Sequence, residues 1–164
     1  MYDPIKYWSR RTDLKDHGAP GWAEDYIRKH LQGPNVLDYG PGDGGKFHLM
    51  NGHEVWGVDI VDTYKDKAIK RAVELDLKYN HIVGDIIGFP DKFFNSALAS
   101  KILLHVPISD IDRVVAELQR VSHRVIVWDT VTPTDAEHVT VHPFHQIMPM
   151  KNAIIKHGQI LFHT

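Results

Sequence analysis

Three carboxylates and a run of glycines carry the most legible chemistry in this chain. Asp38, Asp59 and Asp85 each close a short segment that reads as a buried strand, and Gly40, Gly42 and Gly44 follow the first of them. Glycines there let the backbone bend sharply and approach a ligand with no Cβ in the way. N–H groups opening a helix behind them can face a polar or anionic ligand group. Spacing alone leaves two ligands open, because Gly40, Gly42 and Gly45 also satisfy the dinucleotide fingerprint G-x-G-x-x-G. Asp38 separates them: a carboxylate there can hold an ammonium group, directly or through water, but would repel a pyrophosphate. Asp59, about 20 residues further on, suits an acid accepting hydrogen bonds from ribose hydroxyls, with a helix N-cap as the plain alternative. Asp85, within Gly84-Asp85-Ile86, can accept from an exocyclic amine such as that of adenine, or serve as an ordinary turn residue. Together the three acids and the glycine bend describe a site for an adenosine that bears an ammonium group.

Such a site needs strands whose carboxyl ends lie side by side, and the hydrophobic pattern supplies them. Residues 35–39, 54–60, 81–85, 96–105 and 124–128 read as strands. Residue 96 onward is small and apolar throughout, as expected of a strand covered on both faces. Helical spacing marks 21–32 (Trp22, Ala23, Tyr26, Ile27, Leu31), 62–78 (Ala68, Ile69, Ala72, Val73, Leu77) and 109–121 (Ile111, Val114, Val115, Leu118, Val121), with a short helix over 47–51. Ser109 with Asp112 reads as a capping box opening the third of these. Alternation of strands and helices demands right-handed crossovers and a parallel sheet. The fold class expected is α/β: a single-domain, three-layer sandwich with a mostly parallel Rossmann-like sheet and helices on both faces. It divides into an N-terminal helical segment (1–34), a cofactor-binding core (35–131) and a short C-terminal region (132–164). In that last region 139–144 reads as extended, a short helix follows Pro149, and 159–163 forms a final strand.

Composition narrows the classes. The chain has 164 residues, is 43% hydrophobic and 24% charged, and has a formal net charge of −2, which suits one globular domain and disfavours an unspecific grip on nucleic acid. No cysteine is present, which removes disulfides, thiolate metal sites and thiol nucleophiles together. No apolar run is long enough for a membrane span, and the N-terminus carries no apolar stretch like a secretory signal. A cytoplasmic protein with no membrane association is expected.

The run VLDYGPGDGG at 36–45 resembles the first motif of class I S-adenosylmethionine-dependent methyltransferases. Gly57-Val58-Asp59 resembles their acidic end of strand two, Val83-Gly84-Asp85 their adenine-side acid, and 94–107 their fourth-strand segment. The segments 117–121 and 124–129 are similar to the helix and fifth strand after it, so the resemblance runs from about 26 to 130. It implies S-adenosyl-L-methionine as cofactor. Asp38, Tyr39 and the backbone at Gly40, Gly42 and Gly44 would hold the methionine part, and Asp59 with Ile60 the ribose. Asp85 and Ile86 would bracket adenine, and Lys101 and Ile102 would lie near the sulfur. The chain departs from the family where Asn95 replaces the usual Asp before strand four, and where the connection at 122–123 lacks a glycine-rich turn.

Displacement at a sulfonium needs alignment and desolvation more than a catalytic triad; a base helps only when the acceptor must lose a proton. His105 and Asp129, at the ends of strands four and five, are the candidate catalytic residues. His142 and His145 are candidates for the acceptor pocket; with His138 their spacing also invites a metal, but no metal is expected for want of a carboxylate partner. Tyr7, Trp8 and Trp22 are candidate lid residues, with core packing as the alternative. The segment 101–107 lacks the N/D-P-P-Y/F signature of DNA amino-methyltransferases, so a small-molecule acceptor is expected and nucleic acid is not. Two alternatives stay open: a non-catalytic cofactor-binding module or partner subunit, and a nicotinamide-dependent oxidoreductase.

Overall fold

In the computed structural model the described residues are 3–11, 14, 21–129 and 160–162. Helix α1 (Pro4–Trp8) is followed by α2 (Gly21–His30), β1 (Asn35–Tyr39), β2 (Glu54–Asp59), α3 (Lys65–Glu74), β3 (Lys78–Val83), β4 (Ser96–Ser100), α4 (Ile108–Val121), β5 (Val125–Trp128) and β6 (Ile160–Phe162). Short 3-10 turns occupy Phe47–Leu49, Ile86–Gly88 and Leu103–His105. The strands form one sheet in the order β3-β2-β1-β4-β5-β6, and every pair is parallel. The strand order reverses between β1 and β4, the place where open α/β sheets bind ligands beyond the carboxyl ends of their strands.

Two cores flank the sheet. On one face Leu37, Tyr39, Ala97, Ala99, Val125 and Val127 pack with Ile111, Val114, Val115, Leu118 and Val121 of α4. On the other, Val36, Val55, Leu98 and Ile126 pack with Ile27 and Leu31 beside α2 and with Ala68 and Ala72 of α3. Alternate residues of β1 thus face opposite helical layers, giving the three layers that the strand–helix alternation implied.

The element boundaries differ from the hydrophobic pattern where local chemistry overrides it. Helix α3 stops at Glu74 because Asp76 takes φ +51°. The Leu77 N–H then bonds to the Ala72 carbonyl and the Asp76 N–H to that of Val73, a Schellman ending with aspartate in the usual glycine place. The apolar face read over 62–78 is only partly buried: Ala68 and Ala72 are inside, whereas Ile69 and Val73 face solvent. Strand β3 begins at Lys78, earlier than its apolar pattern showed, since this edge strand is pinned by polar contacts of Lys78 and Asn80 to Glu54. Strand β4 ends at Ser100, where Lys101 adopts φ +55°, and 103–105 coil into a 3-10 turn.

The capping box at Ser109 is not formed. Helix α4 starts at Ile108 with Pro107 as its N-cap residue, no side chain caps it, and Ser109 lies within the first turn. Proline's fixed φ sets the chain direction one residue before the serine can act. Ser109→Ala should therefore change stability by less than about 0.5 kcal/mol in urea unfolding; a loss of about 1 kcal/mol or more, as for a working cap, would restore the sequence reading.

Candidate functional site

Strand β1 is paired on both sides, so its carboxyl end has nowhere to run except over the sheet edge. Gly40 makes that bend at φ +73°, with its N–H donating to the Val58 carbonyl at 2.9 Å. A Cβ on Gly40 would stand 2.6 Å from Cγ1 of Ile102, so glycine is required by handedness and by the neighbouring loop together. The Gly42 N–H donates to Oδ2 of Asp59 at 3.4 Å and the Val61 N–H to Oδ1 at 3.3 Å. Asp59 thereby ties the tip of β2 to the glycine bend. The bend continues through Gly44, whose N–H bonds to the Pro41 carbonyl, into the 3-10 turn Phe47–Leu49. The short helix expected over 47–51 is thus a single 3-10 turn.

Asp38 is the most unusual group at this edge. It is only 2% exposed, and burial, reinforced by the charge of Asp59 and opposed by that of Lys46, pushes its carboxyl up from 3.8 to about 7. Burial also raises Asp59, with the N–H groups of Val61, Gly42 and Ile60 pulling it back. Two acids held this close in low dielectric favour one shared proton or one arriving cation.

The adenine-side acid sits beyond its strand. Strand β3 ends at Val83, and Asp85 instead caps the 3-10 turn Ile86–Gly88, accepting from the Ile86 N–H at 2.6 Å. Its second oxygen pairs with Arg113 of α4 at 2.9 Å. Ile86 is fully buried. The Tyr39 hydroxyl is raised first by burial, then by the charges of Asp85 and, more weakly, Asp59. Tyr39 thus feels both acids, and all three carboxylates lie along one edge of the sheet.

At the ends of β4 and β5, the Lys101 N–H donates to the Trp128 carbonyl. The Lys101 ammonium lies 4.9 Å from the Trp128 ring centroid, and that of Lys46 lies 5.4 Å from it, both within cation–π range. Asp129 is buried and accepts from the Leu104 N–H at 3.3 Å, so it secures the turn that carries His105. The His105 ring meets Trp8 of α1 edge to face at 4.9 Å. The Tyr64 hydroxyl donates to the Arg11 carbonyl, which draws the segment after α1 over the same edge. Trp22 is half exposed on α2. His138, His142 and His145 lie outside the described residues, and among the described residues no cluster of His, Asp and Glu could hold a metal ion.

Sequence reading passed over Lys46, Tyr79, His81, Arg113 and Trp128. Lys46 follows the glycines directly and could have been read from that spacing. The others reach the edge only through strand register or from α4, and no local pattern announces them.

Asp38 has a pH signature. Its folded-state carboxyl lies above its unfolded value, so the folded protein holds the proton more tightly. Its contribution to stability is full below about pH 4 and is lost as pH rises to about 7. In urea titrations of ligand-free protein, stability relative to Asp38→Asn should fall across that window and level off above it. A difference that is flat with pH would remove the buried-acid assignment.

A family of methyltransferase domains matches residues 37–124, more than half of the chain. Among solved structures, a protein from Pyrococcus horikoshii is 27% identical with a TM-score of 0.56, the match covering 71% of this chain and 60% of that one. A SAM-dependent methyltransferase from Methanosarcina mazei is 26% identical with a TM-score of 0.53, covering 60% of this chain and 52% of that one. A phosphoethanolamine N-methyltransferase from Haemonchus contortus, in complex with phosphomonomethylethanolamine and S-adenosylhomocysteine, is 21% identical with a TM-score of 0.61, covering 84% of this chain and 37% of that one; it shows the fold alone. No curated protein matches. The chain spans between 37% and 60% of the length of these three neighbours. Fold, glycine bend and family match lead to one conclusion: this chain belongs to the class I, S-adenosylmethionine-dependent methyltransferase family.

Proposed function

We propose that the protein binds S-adenosylmethionine at the carboxyl edge of its sheet and transfers the methyl group to a small-molecule acceptor. The observation that carries this reading is Asp38: a buried carboxylate, behind a glycine bend, to which no described residue donates a hydrogen bond. A buried anion in that state calls for a cation, and an ammonium group fits where a pyrophosphate would not. Asp59 sits beside the glycine bend, tied to it through the Gly42 N–H, as a hydroxyl acceptor. The residues present fit the cofactor.

In this reading Asp38, Tyr39 and the backbone at Gly40, Gly42 and Gly44 hold the methionine part, Asp59 and Ile60 the ribose, and Asp85 and Ile86 the adenine. Lys101 and Ile102 line the sulfur end. When bound, the cofactor supplies an electrophilic methyl carbon whose bonding pair stays with sulfur as the acceptor's lone pair forms the new bond. The protein's own contribution is alignment and exclusion of water by Tyr7, Trp8 and Ile102. Where the acceptor is a neutral amine or hydroxyl, His105 takes its proton, on a turn that Asp129 ties through the Leu104 N–H. His142 and His145 are assigned to the acceptor pocket.

The strand order keeps one rival in view, because 3-2-1-4-5-6 is also that of dinucleotide-binding domains. Calorimetric titration decides between them. S-adenosylhomocysteine should bind and NAD should not; binding of NAD alone would overturn the reading. Asp59→Ala should weaken S-adenosylhomocysteine binding by about 1–3 kcal/mol through lost charge-assisted hydrogen bonds, and an unchanged affinity would refute the ribose assignment. Binding without transfer to any member of a panel of small amines, hydroxyls and carboxylates would instead mark a non-catalytic module.

A further inference from the structure

Two arginines of α4 reach the turn that follows β3, and only one of them is explained by the need to hold that turn. The Arg120 guanidinium donates to the Ile87 carbonyl at 3.1 Å, to the Phe89 carbonyl at 2.9 Å and to Oδ1 of Asp91 at 2.6 Å. These bonds fasten the turn to the helix at three successive points. Arg113, two helical turns earlier, reaches a side chain instead: its Nη1 donates to Oδ2 of Asp85 at 2.9 Å.

Asp85 is thereby fixed at both oxygens. Its Oδ1 accepts from the Ile86 N–H at 2.6 Å, as the N-cap of the 3-10 turn Ile86–Gly88, and its Oδ2 takes the guanidinium. Rotation of the carboxyl group would break one bond or the other. A carboxylate has about four lone-pair sites, so the two that stay unused point in set directions. The pair is also half exposed, at 44% for Arg113 and 42% for Asp85, which leaves the carboxylate within reach of a ligand. An exposed ion pair contributes little to stability, and Arg120 secures the turn without it. What Arg113 adds is the orientation of Asp85.

We propose that Arg113 is a positioning residue that sets the base specificity of the site: it holds the Asp85 carboxylate as a fixed acceptor for the exocyclic amine of adenine, so that an aminopurine is taken and an oxopurine refused. This rests on the cofactor reading above. An exocyclic amine donates to the held oxygen. The exocyclic oxygen of hypoxanthine instead brings a second acceptor against an anion, with no proton between them. Released from Arg113, the carboxylate turns toward solvent and the distinction fades.

The test is calorimetric titration of ligand-free protein with S-adenosylhomocysteine and with S-inosylhomocysteine, which carries hypoxanthine in place of adenine. Wild type should prefer the adenine ligand by roughly tenfold or more, the scale of a hydrogen bond to a charged group. Arg113→Met and Arg113→Gln both keep good helix formers in α4. Each should weaken S-adenosylhomocysteine binding by roughly threefold or more and leave S-inosylhomocysteine within about twofold. Asp85→Asn should also lose the preference, and adding Arg113→Met to it should change the preference no further, because the two side chains act as one unit. Equal weakening of both ligands in the folded arginine variants overturns the proposal, as does an unchanged preference. A larger preference overturns it too, since the guanidinium would then itself be meeting the base oxygen. Wild type binding both ligands equally sinks the role of Arg113 and leaves the cofactor reading standing. Failure of wild type to bind either ligand overturns the cofactor reading and the specificity role together.

Discussion

The double pairing of β1 is the constraint on which the rest depends. Flanked by β2 and β4 and covered on both faces, this strand places whatever follows it at the point where the strand order reverses. Its last inward positions are therefore dry, and a polar side chain there bears a large desolvation cost. Asp38 occupies such a position. Its burial is offset by partial protonation and by the charge of Lys46, and in the proposed reading by a ligand cation. A strand so enclosed can leave the sheet only through a sharp bend, which the left-handed Gly40 provides and Ile102 covers.

The same geometry organises the remaining chemistry by face. Asp38, Gly57, Tyr79 and His81 share the side beneath α2 and α3, whereas Tyr39, Ile86, Asp85 and Arg113 belong to the side of α4. Asp59 and Tyr39 join the two sides at the strand tips. In the proposed reading a long, polar nucleoside lies across the edge of the sheet, with its charged end over the buried acid and its base toward α4. In that reading the acceptor end is built from other parts: the 3-10 turn carrying His105, the β5 tip with Trp128 and Asp129, and α1 with Trp8. Because fold does not dictate acceptor, the proposed reading assigns acceptor specificity to that end.

Most acids along this edge of the sheet are held by pairing. The Asp59 carboxylate is consumed by backbone N–H groups, that of Asp85 by Ile86 and Arg113, and that of Asp129 by Leu104. Asp38 stands apart in drawing no such donor from the backbone of the described residues. That contrast separates the acids that shape the edge from the one left to respond to a ligand.

Much of this was legible in the chain itself, because it depends on residues close in sequence. Strand–helix alternation dictates a parallel three-layer sheet, the spacing of Asp38, Gly40 and Gly42 dictates a bend at a strand end, and the stripe from Ile111 to Val121 dictates which side of α4 is buried. Those are local consequences of hydrophobic period and of glycine's conformational range. What only the tertiary structure decided are matters of register and competition. Proline at 107 displaced the cap from Ser109, an aspartate in the left-handed region ended α3, and the pairing Asp38–Gly57–His81 set residues of three strands in one row. No linear pattern encodes such neighbours, since hydrogen bonds between strands determine them and residues far apart in the chain meet only once the sheet is formed.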